Sequence, residues 1–168
     1  MLKGLTLSRQ NRSIFRFCLL FIVYFGIFCI VFHLHPVQEK ILRPYAVLTA
    51  QITGWILQGF MSGTRVLENV VFQPRGFAMI ITVKCLGLLL AGFLIAVILA
   101  SPSSMRKKII GIILGTGIIF MVNLLRLISL FVVGTYASGS IDFVHDILWE
   151  GIMIVLTFGI WMKWRKMK

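Results

Sequence analysis

The sequence predicts an all-α polytopic membrane protein with four membrane-spanning helices, an interfacial or re-entrant amphipathic helix and a short extracytoplasmic β-hairpin. Three observations carry that expectation. Of 168 residues, 59% are hydrophobic and 13% are charged, against roughly 45–50% and about 25% in a soluble domain. Several apolar runs approach the ~20 residues that a spanning helix needs. The basic residues cluster where those runs end: Lys3, Arg9, Arg12 and Arg16 lead the chain, Arg106, Lys107 and Lys108 form one loop, and Lys163, Arg165, Lys166 and Lys168 end it. Basic residues beside spanning segments mark the cytoplasmic side. The net charge of +12 therefore reads as topology, and nucleic acid is not an expected partner.

The elements follow in order, as a single domain over residues 1–168. Residues 1–13 form a basic tail. Ile14–Phe32 is the first span; no small-residue cleavage site follows it, so it reads as retained rather than as a signal peptide. His33–Lys40 is a polar loop. Ile41–Met61 carries Arg43, Gln51 and Gln58 among apolar residues, which fits an amphipathic helix on the outer interface or one that dips and returns. Val66–Phe72 and Phe77–Val83 are β-branched and flank Gln73-Pro74-Arg75-Gly76, a turn signal, so a hairpin is expected over 66–83. An open hairpin has unpaired edges and cannot stand in hydrocarbon, which places it outside. Cys85–Ala100, Ile109–Val133 and Phe143–Trp161 are the remaining spans. Four spans put all three basic clusters on one side, whereas a span over 41–61 would move the later clusters across.

Three reactive polar side chains stand in this apolar frame: Cys85, Arg126 and His145. Polar groups inside spans are costly and mark function by default. Counted along continuous helix, they lie about 32, 26 and 27 Å from Arg106, Ile109 and Lys163, against a hydrocarbon core ~30 Å thick. All three are thus expected at the outer boundary. Cys85 is expected at a helix N-terminus beside Lys84, where a thiol ionises more readily. Gly87 lets another backbone approach. Asn123 shares the Arg126 face one turn away. Asp142, three residues before His145, is placed to orient its ring. Each also has a plain structural reading: Cys85 as a small packing residue, Arg126 as a snorkelling interface residue, His145 as a helix cap beside the interfacial Trp149. Cys18 and Cys29 read as packing residues. No zinc spacing is present, His33 and His35 lack companion ligands, and no cofactor is expected.

At these residues the chain resembles the exosortase/archaeosortase family of membrane-embedded cysteine transpeptidase-like proteases. The resemblance rests on Cys85-Leu86-Gly87 after a hairpin, Asn123-Leu124-Leu125-Arg126, and His145 heading the last span. It covers roughly Pro74 to Trp161, and the short length is similar to the compact H-type exosortases. Leu86 departs from the small or polar residue often found after the cysteine. The resemblance implies a sorting enzyme of the bacterial cytoplasmic membrane, facing outward, with both termini cytoplasmic. It implies catalysis by Cys85, Arg126 and His145 through a thioester, supported by Asn123, Gly87 and Asp142. Its partners would be membrane lipid and secreted proteins that carry a C-terminal motif, a transmembrane helix and a basic tail. The substrate helix is expected near Gly87 and Gly92. Two other classes fit the polar residues: an assembly subunit held by an Arg126–Glu150 ion pair, and a transport subunit whose pathway is lined by Arg126, Asn123 and Glu150.

Overall fold

The computed structural model describes residues 2–74 and 76–167, with side chains from residue 11 onward. Lys168 and Arg75 lie outside the described residues, as do the side chains of Lys3 and Arg9. Among the described residues, long helices and one small sheet make the fold: α1 (Leu2–His33), α2 (Arg43–Gln58), β1 (Arg65–Leu67), β2 (Val70–Phe72), β3 (Ala78–Ile80), α3 (Leu88–Ala100), α4 (Met105–Tyr136) and α5 (Glu150–Lys166). The basic tail expected over 1–13 is the first part of α1. A π-helical stretch, Gln38–Leu42, leads into α2, and a second, Phe143–Trp149, leads into α5.

Among the described residues three helical stretches are long and apolar enough to cross a membrane: Asn11–His33, Met105–Tyr136 and Ser138–Lys166. Their surfaces face outward as a membrane requires. None of the apolar window of α1 is buried within the protein, and Ile22, Ile27 and Ile30 on it are exposed. Ile113, Leu114 and Leu125 on α4 and Val155 and Phe158 on α5 are exposed too. A water-soluble fold hides such stripes, whereas lipid solvates them. The protein is therefore a mainly helical membrane protein.

Two expectations change at this level. The hairpin is a three-stranded antiparallel sheet in the order β1-β2-β3. The expected first strand, 66–72, folds on itself at Glu68-Asn69, so Val66 pairs with Val71, and Val71 in turn pairs with Met79. Glu68 turns with φ 51, and Asn69 ties the turn to the third strand by donating its side-chain amide to the Ile81 carbonyl (3.0 Å). No glycine marks this turn, which is why the β-branched run reads as one strand. The second change is α3. It has 13 residues, about 20 Å at 1.5 Å per residue, and starts at Leu88 rather than Cys85.

Packing divides into two halves. At one end α2, the sheet and the C-terminal part of α4 share a core of Ala50, Leu57, Val71, Ile81, Leu86, Leu127 and Phe131. The close seating has local causes. Gly54 on α2 lies under Val66, and Gly134 on α4 lies under the Phe77 ring, where any Cβ would overlap. Toward the other end α3, α4 and α5 share Leu94, Ile98, Ile119, Met153 and Trp164. Gly92 lets Phe28 of α1 rest on α3, and Gly111 lets Trp164 of α5 rest on α4. The Trp164 indole donates to the Lys107 carbonyl (2.8 Å), so the end of α5 and the start of α4 are pinned together. Arg106–Lys108, expected in a loop, form the first turn of α4, and adjoining cavities lined by Arg12, Arg16, Lys107, Lys108 and Arg165 bring the three basic clusters to one end of the molecule.

Candidate active site

Cys85 sits in a 3-10 turn, Val83–Leu86, directly after the sheet. Its amide donates to the Thr82 carbonyl (2.9 Å), and its half-buried Sγ lies 3.4 Å from Thr82 Oγ1. Gly87 then adopts the left-handed conformation, φ 67 and ψ 9, and caps α3. The thiol is therefore three residues ahead of the first helical position. The expected helix N-terminus at Cys85 is corrected: the field of a helix end fades within a turn.

A backbone carbonyl left outside helical bonding in apolar surroundings must find a partner within the protein. Asn123 supplies one. Its Nδ2 donates to the Cys85 carbonyl (2.9 Å) from a side chain with no exposed surface. This bond also resets the depth argument, which assumed continuous helix from Cys85 to Arg106. Cys85 stands at the level of Asn123, about 27 Å along α4 from Met105.

Gly87 is the hinge of this arrangement. A Cβ there would lie 3.2 Å from Asn123 Oδ1 and 3.3 Å from its Cγ. Left-handed backbone costs an L-residue roughly 1–2 kcal/mol. Gly87→Ala is thus expected to lower stability by about 1–3 kcal/mol and to alter the alkylation rate of Cys85. Thermal unfolding in detergent and timed labelling with a maleimide check both; an unchanged labelling rate would mean that the turn does not depend on Gly87.

One turn further along α4, Arg126 is half-buried. Its Nη2 lies 3.1 Å from His145 Nε2. His145 Nδ1 lies 2.5 Å from Asp146 Oδ1. An arginine has donors only, so Nε2 must accept. The ring proton is then on Nδ1 and is donated to Asp146. The chain guanidinium–imidazole–carboxylate fixes one tautomer of His145.

Asp146, not Asp142, holds the ring. Asp142 is exposed and makes no side-chain hydrogen bond or ion pair among the described residues. The physical reason is the π-helical stretch Phe143–Trp149. Its wider turn takes residues three apart off a common face, so an α-helical spacing rule misplaces the carboxylate. The same stretch brings in two residues that spacing did not single out. Trp149 Nε1 donates to Ser129 Oγ (2.8 Å), and Ser129 donates to the Arg126 carbonyl (2.8 Å). Trp149 thus tethers the π-helical stretch to α4 instead of serving as a free interfacial anchor. Its only sequence signal was an aromatic beside His145. Thr82 had no signal beyond preceding the cysteine.

The structure joins the sequence-predicted residues in two pairs. Asn123 takes Cys85, and Arg126 takes His145, from adjacent turns of α4. Cys85 and His145 share no hydrogen bond: the thiol turns to Thr82, and both ring nitrogens are engaged. Asn123 Oδ1 and Arg126 Nε are buried without partners among the described residues, one an acceptor and one a donor. Arg126 is not paired with Glu150, which is exposed, so the ion-pair reading loses its contact. Gly87 and Gly92 are already covered, by Asn123 and by Phe28, and offer no seat to a substrate helix. An apolar groove of about 560 Å³ runs along the helical segment that carries His145, lined by Phe143, Ile147, Gly151 and Val155. Among the described residues no group of three or more His, Cys, Asp or Glu is placed to hold a metal ion.

Comparison of the chain with protein-family models, with curated proteins and with solved structures finds no match.

Proposed function

We propose that this protein is a membrane-embedded cysteine protease or transpeptidase of the exosortase kind, cutting C-terminal sorting signals of secreted proteins at the outer face of the cytoplasmic membrane. One observation carries the reading. A buried Asn123 fixes the Cys85 turn to the same face of α4 on which Arg126 engages a histidine oriented by Asp146. A structural role for these groups gives no reason to orient a histidine twice beside a held cysteine. In this reading α1, α3, α4 and α5 are the four spans, and α2 with the sheet covers the outer surface.

The chemistry follows from the hydrogen bonds. At rest Arg126 occupies the Nε2 lone pair of His145, so the base is not free. A substrate carbonyl draws the guanidinium away, and Nε2 takes the Cys85 proton. The thiolate attacks the carbonyl carbon, and the oxyanion is met by Arg126. Collapse breaks the C–N bond; His145 returns the proton to the leaving amine, and a thioester remains on Cys85. An amine, a hydroxyl or water resolves it. The unpartnered Asn123 Oδ1 and Arg126 Nε give an extended peptide an acceptor and a donor. The substrate's own helix lies along the Phe143–Val155 groove and enters the site past His145.

The test uses cells that express the protein, with Cys18 and Cys29 changed to serine, and a tagged protein bearing a motif, a transmembrane helix and a basic tail. A membrane-impermeant maleimide applied from outside is expected to label Cys85 and stop the gel shift that reports processing. Processing that continues at full labelling would sink the proposal, and so would labelling from the cytoplasmic side only.

A further inference from the structure

The basic end of the molecule carries an unmet electrostatic demand. All five acidic residues, Glu39, Glu68, Asp142, Asp146 and Glu150, lie beyond the far end of α1, in the sheet, or around the start of α5. None stands at the basic end. Two adjoining cavities of about 430 and 530 Å³ open there, and Ser13, Phe17, Ser101 and Pro102 line both. Lys107 and Arg165 border the first; Arg12, Arg16 and Lys108 border the second. The two lysines are partly neutralised by carbonyls at helix ends. Lys108 donates to the Leu99 carbonyl (2.6 Å), and Lys107 donates to the carbonyls of Arg165 and Met167. Arg12 and Arg16 have no ion-pair partner among the described residues. Across the cavities the cations of α1 therefore face those of α4 and α5, and like charges at close range repel.

A second, independent observation concerns the wall. Trp161 and Trp164 line the first cavity. The second cavity continues along Leu20 and Tyr24 of α1, so it has an apolar wall leading toward the exposed apolar flank of that helix.

We infer that these joined cavities hold the phosphate head of an anionic glycerophospholipid, which bridges α1 to the α3–α4 loop and α5. The phosphate lies among Arg12, Arg16 and Lys107. An acyl chain follows Leu20 and Tyr24. Basic pockets between spanning helices on the cytoplasmic side recognise lipid heads in this way. The apolar wall is what favours a lipid over a free phosphate ion.

The test measures thermal unfolding of the full chain in neutral detergent with added phosphatidylglycerol, phosphatidylcholine or inorganic phosphate. Phosphatidylglycerol is expected to raise the midpoint by several degrees, and the other two to leave it within one degree. The double variant Arg12→Gln/Arg16→Gln is expected to lose most of that rise. Arg106→Gln/Lys166→Gln removes two charges that line neither cavity and is expected to keep it. An equal rise with phosphatidylcholine, an equal rise with inorganic phosphate, or an equal loss in both double variants overturns the assignment. Native mass spectrometry of the unaltered chain guards against a misfolded variant. One retained phosphatidylglycerol supports the site, and none retained overturns it.

Discussion

Cys85→Ala is expected to leave a folded protein that processes no substrate, with a loss on the order of 10⁵–10⁶ in rate, the scale seen when a nucleophile is removed. The structural cost is small for a stated reason. The thiol is half-buried and makes one weak contact, to Thr82 Oγ1, while the bond that anchors the turn runs from Asn123 to the backbone carbonyl of residue 85. Alanine keeps that carbonyl. Stability should change by about 1 kcal/mol or less. Cys85→Ser should be inactive as well, because a hydroxyl is far less nucleophilic than a thiolate at neutral pH. A gel shift of the tagged substrate reads activity, and thermal unfolding in detergent reads the fold. A folded Cys85→Ala that still processes would leave the cysteine as a packing residue, as an assembly subunit requires.

Arg126→Ala is expected to lower processing by about 10²–10³, the cost of losing one oxyanion donor, and stability by only about 1–3 kcal/mol. Both figures follow from what the guanidinium touches. It reaches His145 Nε2 with one nitrogen, and its Nε has no partner among the described residues, so little of its bonding capacity holds the fold. Arg126→Lys retains the charge but not the planar fork, and should remain at least tenfold impaired. Arg126→Met separates two roles that alanine confounds. If Arg126→Met folds and processes normally, the arginine serves packing and not chemistry. If Arg126→Ala unfolds outright, it holds helices together as a structural ion.

Much of the outer plan was legible along the chain. The apolar runs of α1, α4 and α5 and the basic residues at their ends are local properties, and the structure keeps both. That Asn123 and Arg126 share one face of α4 is legible too, since they stand one helical turn apart, and Cys85 and His145 come to that face from other elements. The turn at Glu68-Asn69 was not, because no glycine or proline announces it. The late start of α3, at Leu88, is not legible because Cys85-Leu86-Gly87-Leu88 is apolar throughout, and hydropathy does not report φ at Gly87. Asp142 precedes His145 by three residues, the α-helical spacing, and a π-helical stretch breaks that rule without a sequence mark, so Asp146 holds the ring instead. Gly92 read as open space for a partner helix, and Phe28 fills it.

The sequence by itself determined the solvent of this protein and the placement of its charge. Transfer free energies and basic flanks accumulate along the chain without regard to what packs beside it. Only the tertiary structure decided which polar groups meet. The Asn123–Cys85 bond joins residues 38 apart, and it exists because a left-handed glycine turns one carbonyl toward α4. In an apolar surrounding such a carbonyl has few partners to choose from, so a single backbone angle selects the residue it finds.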